Sequence, residues 1–177
     1  MANKSHITIF EMGFGTGLNA LLTLLEAERL VQDINYFSVE LFPIPVEEAC
    51  KANYPERLGM GGDQFRAMHS AKWGTAVTIG NRFTLTKINS DLLAIVLPLG
   101  IDLVYFDAFD PEAQPELWGE AIFSKIFEAM NPDGVLVTYS SKGIVKEALR
   151  AAGFFVQRLA GPPGKRHMVR AIKRLHE

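Results

Sequence analysis

The stretch Ile7-Thr8-Ile9-Phe10-Glu11-Met12-Gly13-Phe14-Gly15-Thr16-Gly17-Leu18-Asn19 decides the fold. Its first six residues are apolar and β-branched enough for a strand, and the glycines at 13, 15 and 17 end that strand in a tight loop. Leu18 to Leu30 then has the Leu and Ala content of a helix apolar around most of its circumference, as suits one packed on a sheet and a neighbour. Strand, glycine loop and helix in this order place unobstructed backbone N–H groups at a helix start, where a ligand can approach the main chain closely.

Working outward, Ile34 to Glu40 is a second strand with an acid at its end, and Pro45 to Ala52 has the Pro start and the Glu47/Glu48 first turn of a helix. Tyr54 to Trp73 carries no clear pattern. Ala76–79 and Arg82–87 flank Gly80-Asn81, which predicts a hairpin with a two-residue turn feeding a third parallel strand. Asp91 to Leu97 is expected to be a short helix. Ile101 to Asp107 is a near-continuous apolar strand of the buried parallel kind, ending in a carboxylate. A helix over Pro115 to Met130, a strand over Val135 to Tyr139, a helix over Lys142 to Ala152 closed by Gly153, and a last strand pair over 154–159 and 167–172 complete the chain. Strands alternating with helices predict an α/β fold with a doubly wound, mostly parallel sheet and an antiparallel C-terminal strand. Its ligands are expected at the carboxyl ends of the strands.

The chemistry follows from spacing. Dinucleotide folds use Gly-x-Gly-x-x-Gly, whereas Gly-x-Gly-x-Gly after a strand ending in an acid, here Gly13-x-Gly15-x-Gly17, is the pattern of S-adenosylmethionine sites. Glu11 is expected to hold the cofactor's amino group, directly or through water. Glu40, about 25 residues beyond the loop, offers two acceptor oxygens to a ribose diol. In Asp107-Ala108-Phe109-Asp110-Pro111, Asp107 continues the buried strand and is the carboxylate expected to face the cleft, while Asp110 before a proline suits a turn or a cap. Ser140-Ser141 is expected to cap the helix from Lys142. His6, His69, His167 and His176 are scattered and form no triad or metal set.

The 177 residues fit one domain, 1–177, and leave no room for a second catalytic domain. Hydrophobic content of 48% with 21% charged residues excludes disordered and low-complexity classes. Cys50 alone cannot form an internal disulfide and has no chelating neighbours, so no metal is expected. No apolar run spans a bilayer and no signal-peptide core follows Met1, so a cytoplasmic, membrane-free location is expected. The net charge of −2 conceals an asymmetry: residues 1–140 carry 9 basic and 18 acidic side chains, whereas 141–177 carry 9 basic and 2 acidic. A basic C-terminal segment suits contact with phosphates.

Four motifs in order resemble a known family. These are Glu11 to Asn19 (Glu-Met-Gly-Phe-Gly-Thr-Gly-Leu-Asn), Glu40 followed by Phe42-Pro43, Asp107 to Pro111 with Pro115 and Trp118 downstream, and Gly161 with Lys165-Arg166. Together they resemble the MnmC-type tRNA methyltransferases, in a stand-alone form without the flavin (FAD) oxidase half. The resemblance implies a Rossmann-like class I S-adenosylmethionine-dependent methyltransferase that methylates the 5-aminomethyl group of the wobble (2-thio)uridine of tRNA. It implies Asp107 as the catalytic position and Glu11, Gly13, Gly15, Asn19 and Glu40 around the cofactor. Lys165 and Arg166 would meet the tRNA substrate. Where the family carries Gly-Asp after the third strand to help hold the adenine, this chain has Lys87-Ile88, with Asn89 or Asp91 as the candidate substitutes. Two other readings share these features: a polyamine-type transferase acting on small amines, and a non-catalytic relative that binds RNA or a partner.

Overall fold

A computed structural model describes residues 4–161 and 167–174, in two compact units, Met1–Asp91 and Leu92–Glu177. In the first unit the elements are β1 (His6–Met12), α1 (Leu18–Leu30), β2 (Asp33–Glu40), α2 (Val46–Ala49), α3 (Tyr54–Arg57), α4 (Gly62–Ser70), β3 (Ala76–Ile79) and β4 (Phe83–Asn89). Its strands lie in the order β3-β4-β2-β1. β1 pairs with β2 and β2 with β4 in parallel, and β3 runs antiparallel to β4. Parallel neighbours need a crossover, and α1 supplies the first. The sheet carries Phe10, Tyr36, Phe83 and Leu85, all buried, and α1 turns Ala20, Leu21, Leu24 and Ala27 inward.

The glycine loop and α1 fall where the sequence puts them. Two neighbouring elements differ. The hairpin turn holds three residues rather than two, because Ile79 pairs with Phe83. Arg82 is drawn into the turn by β2: its carbonyl accepts the Ile34 N–H at 2.7 Å and its guanidinium meets Asp33 at 2.9 Å. The helix expected from Pro45 to Ala52 is a single turn, Val46–Ala49, with Pro45 at its N-cap.

The second unit contains β5 (Ile101–Phe106), a 3-10 helix (Pro115–Trp118), α5 (Glu120–Ala129), β6 (Met130–Thr138), α6 (Gly143–Ala151), β7 (Phe155–Ala160) and β8 (His167–Ile172). Its strand order is β5-β6-β8-β7, with β5 and β6 parallel and β8 antiparallel to both β6 and β7. This gives the α/β class expected, parallel pairs first and the antiparallel strand at the C-terminal end.

Three expectations in this unit are corrected. No helix forms over Asp91 to Leu97. The segment is a turn in which Lys125 Nζ takes the carbonyls of Leu92 and Leu93, at 2.9 and 3.3 Å, and Pro98 follows. The helix expected from Pro115 to Met130 breaks at Gly119, whose extended backbone caps α5. β6 begins at Met130 rather than Val135: Asn131 Nδ2 donates to Gly100 O and to Asp102 Oδ1, both at 2.8 Å, across a register shift between Ile101 and Leu103. Among the described residues no helix is long and apolar enough to cross a membrane.

Candidate active site

In the first unit the carboxyl ends of β1 and β2 build a cradle. Gly13, Gly15 and Gly17 all adopt positive φ, at 92°, 48° and 74°, a region that L side chains avoid. Gly13 donates its N–H to Val39 O at 2.9 Å, and Gly17, at the N-cap of α1, donates to Phe14 O at 2.8 Å. Gly15 N donates to Glu40 Oε2 at 3.1 Å, and Phe42 N donates to Glu40 Oε1 at 2.9 Å. Glu40 is thus fixed by two backbone donors, one from its own loop and one from the glycine loop. Each of its oxygens keeps a further lone pair for a hydroxyl.

Glu11, 1% exposed, stands opposite Ser38 in the β1–β2 register and accepts the Ser38 hydroxyl at 2.7 Å. Asn19 lies half-buried in the first turn of α1, where its carbonyl takes the Thr23 hydroxyl.

A cavity of ≈ 260 Å³ opens beside this cradle, lined by Gly15 and Glu40, by the 43–46 segment, and by Phe14, His69, Trp73 and Lys87. An added Cβ on Gly15 would meet nothing within 4 Å, so the loop faces open space there. The segment from Tyr54 to Trp73, opaque in the sequence, is the wall behind the glycine loop. Tyr54 and Thr16 share a hydroxyl hydrogen bond at 3.1 Å, and His69 Nε2 donates to Thr16 O at 3.2 Å. Because a carbonyl only accepts, His69 carries its proton on Nε2, and burial holds the ring below the ordinary 6.5 and neutral. Phe65 packs edge-on to His69.

The residues present fit S-adenosylmethionine: a backbone cradle with no side chain in the way, a carboxylate fixed for a diol, and an apolar wall of Ile44, Val46 and Trp73 for a flat ring.

In the second unit Asp107 follows β5 directly and is exposed rather than buried. What the sequence missed is how its loop is held. Tyr139 donates its hydroxyl to Ala108 O at 3.0 Å and Trp118 Nε1 donates to Phe109 O at 2.9 Å. Burial, then the charges of Asp110 and Asp107, push the Tyr139 hydroxyl above its ordinary value and keep it a donor. Asp110 is the turn residue expected. Its Oδ1 accepts Glu112 N at 2.9 Å and the Lys142 ammonium at 2.7 Å, and these bonds hold its carboxyl below the usual range. Lys142 also meets Glu112 at 2.8 Å. Consequently the α6 N-cap is Lys142 itself, without a side-chain cap bond, and the expected Ser140-Ser141 cap does not form.

The basic C-terminal segment is partly consumed by the fold. Beside the Lys142 pairs, Lys173 Nζ donates to the Phe127 and Met130 carbonyls at the end of α5, Arg170 grips Gln157 Oε1, and Arg174 stacks on Phe155 at 3.5 Å. Arg150 on α6 and Arg158 on β7 are exposed. Lys165 and Arg166 lie outside the described residues.

Comparison with known proteins gives the family and the fold. A family model described as S-adenosyl-L-methionine-dependent methyltransferase matches residues 67–174. The chain is similar to the tRNA 5-methylaminomethyl-2-thiouridine biosynthesis bifunctional protein MnmC of Nitrosospira multiformis, 34% identical over 171 residues, covering 92% of this chain and 28% of that protein. The namesake from Ectopseudomonas mendocina is 34% identical over 176 residues, covering 92% and 26%. The chain therefore spans about a quarter of the length of these relatives, and the resemblance read from the four motifs is borne out. Among solved structures, MNMC2 from Aquifex aeolicus aligns with a TM-score of 0.71 at 24% identity, over 99% of this chain and 57% of that one. A methyltransferase from Pyrococcus furiosus aligns with a TM-score of 0.59 at 16% identity, over 97% and 77%. These two likenesses establish the class I methyltransferase fold.

Proposed function

We propose, from the premise that this chain belongs to the family of S-adenosyl-L-methionine-dependent methyltransferases, that it N-methylates the 5-aminomethyl group of wobble (2-thio)uridine in tRNA. The observation that carries the reading is Gly15 N on the Glu40 carboxylate, which ties the glycine loop to a ribose acceptor at the mouth of one cavity. The substrate half of the proposal is supported by the tRNA 5-methylaminomethyl-2-thiouridine biosynthesis for which the relatives are named and by the exposed Arg150 of α6 and Arg158 of β7. A single methyltransferase domain over 1–177 and a cytoplasmic location, where tRNA is modified, accompany this reading.

Bound S-adenosylmethionine supplies a methyl group on a positive sulfur, an electrophile that needs no metal. The chain's task is to present a neutral amine in line with that methyl and to exclude water. Glu40 would accept the ribose hydroxyls, Gly13 and Gly15 would admit the cofactor to the backbone, Glu11 would hold its amino group directly or through water, and Asn19 would line the site. Asp107 is the catalytic carboxylate of this proposal: it would accept an N–H of the attacking amine, orient the lone pair, and stabilise the positive charge that builds on nitrogen as the amine takes the methyl group. The proton released from nitrogen passes to Asp107 and on to solvent. Lys165 and Arg166, with Arg150 and Arg158, meet tRNA phosphates.

The test is transfer of labelled methyl from S-adenosylmethionine to tRNA bearing 5-aminomethyluridine, run beside putrescine and spermidine. Label in tRNA alone supports the proposal. Label in free amines assigns the chain to small-molecule transfer, and no transfer to either favours a binding protein.

A further inference from the structure

Lys87 is the side chain of the cavity that the roles above leave unused. It stands on β4 at 1% exposure, paired across the register with Ser38 of β2. Its Nζ donates to His69 O at 2.6 Å and lies over the rings of Trp73 and Phe14, at 4.7 and 5.4 Å from their centroids. His69 O belongs to the last turn of α4, where helix carbonyls carry partial negative charge. Among the described residues no carboxylate pairs with Lys87, and that carbonyl is the one acceptor Nζ is given. Burial pushes the amine down to about 8. Methionine would fill the same volume without burying a charge, so the ammonium needs a reason.

The cavity supplies one. An ammonium has three N–H donors and no acceptor, and His69 O uses one of them. The other two meet no oxygen or nitrogen acceptor among the described residues, and Lys87 lines the cavity that also holds the Glu40 carboxylate and an apolar wall made by Ile44, Val46 and Trp73. A guest whose diol sits on Glu40 and whose flat ring lies along that wall brings ring acceptors to Lys87.

We infer that Lys87 reads the base of the bound cofactor, donating an N–H to an acceptor atom of the purine whose ribose is held by Glu40. The inference rests on the assignment of Glu40 to the ribose. It carries a specificity that a carboxylate at this place would not give. A carboxylate accepts from an exocyclic amine and selects the 6-amino purine. A lysine only donates, so it can use the ring nitrogens of adenine and equally the ring nitrogens or the O6 carbonyl of hypoxanthine. The base pocket therefore discriminates weakly between 6-amino and 6-oxo purines.

Calorimetric titration with S-adenosyl-L-homocysteine and S-inosyl-L-homocysteine tests this, using the wild-type chain, Lys87→Met, Lys87→Gln and Glu40→Gln. The expected result is that the wild-type binds the two ligands within about threefold of each other and that Lys87→Met weakens both tenfold or more, the scale of a hydrogen bond to a charged group. Lys87→Gln, which keeps a donor, recovers part of the loss. Rejection of the inosyl ligand by more than about thirtyfold overturns the inference without any variant. Unchanged affinity in Lys87→Met, with Glu40→Gln weakened, overturns it while sparing the cofactor reading. Absence of binding by the wild-type chain overturns both.

Discussion

Gly15, at the bend of the glycine loop, donates its N–H to the carboxylate of Glu40, the last residue of β2, at 3.1 Å. One bond thereby joins the two features on which the cofactor reading depends, the loop after β1 and the acid after β2. Phe42 N holds the other oxygen of the same carboxylate, so its orientation is set before any ligand arrives. Glu40→Gln places an amide NH2 against one of these two N–H donors. We expect it to weaken S-adenosyl-L-homocysteine binding about tenfold to a hundredfold by calorimetry, the range of a charge-assisted hydrogen bond. Equal affinity in wild-type and variant would remove Glu40 from the site.

Gly15 and Gly17 separate two effects. At Gly17 an added Cβ meets His69 Nε2 at 3.0 Å and the Phe14 ring at 3.3 Å, at a φ of 74°, so Gly17→Ala strains the backbone and pushes apart the wall behind the loop. At Gly15, with φ at 48° and nothing within 4 Å, Gly15→Ala carries the left-handed penalty alone, roughly 1–2 kcal/mol. Urea unfolding is expected to rank Gly17→Ala as the less stable of the two. Gly15→Ala, whose methyl faces the space the cofactor needs, is expected to fold and yet lose ligand binding. The reverse ranking would contradict the packing described.

Much of this cradle was legible in the sequence. Three alternate glycines between an apolar strand and a Leu-rich helix admit one local structure, and α1 runs from Leu18 to Leu30 as the pattern predicts. The wall formed by Tyr54 to Trp73 was not legible. His69 earns no place there by periodicity; it is fixed by Thr16 O, which is distant in the chain. The burial of Lys87 was not legible either, because it depends on Trp73 and on a carbonyl of α4. Likewise the basic count after residue 140 gave a charge and not an exposure. Lys142 and Lys173 are spent on the Asp110 loop and on the end of α5.

Lys87 also leaves a signature in stability. Its amine is held near 8 in the folded chain against 10.5 for an unburied lysine, so between those values the unfolded chain binds more protons and stability rises with pH. Relative to Lys87→Met, the wild-type should therefore gain stability from pH 8 toward about 10.5, and the penalty of the buried ammonium is fully present below pH 8. His69 and Glu40, the other titratable side chains lining the cavity, are common to both proteins, so the difference between the two urea midpoints isolates Lys87. A difference flat across that window would mean the lysine is not desolvated.

Asp107 is exposed at the end of β5, in a loop pinned through Tyr139 to Ala108 O and through Trp118 to Phe109 O. Because these bonds go to the backbone, Asp107→Ala should leave the loop and the fold in place. We expect its turnover with tRNA to fall about 10²-fold or more, the usual contribution of a positioned acid–base group, with S-adenosyl-L-homocysteine affinity changed by less than about threefold. Near-wild-type turnover would take Asp107 out of the mechanism.

The measurement that tests the central claim most directly is nucleoside mass analysis of tRNA bearing 5-aminomethyl-2-thiouridine after incubation with the chain and S-adenosylmethionine. The account predicts conversion of that nucleoside, and of no other, to its singly N-methylated form, with conversion abolished by leaving out the cofactor and slowed by Asp107→Ala. An unchanged wobble nucleoside under conditions where the chain binds S-adenosyl-L-homocysteine would contradict it.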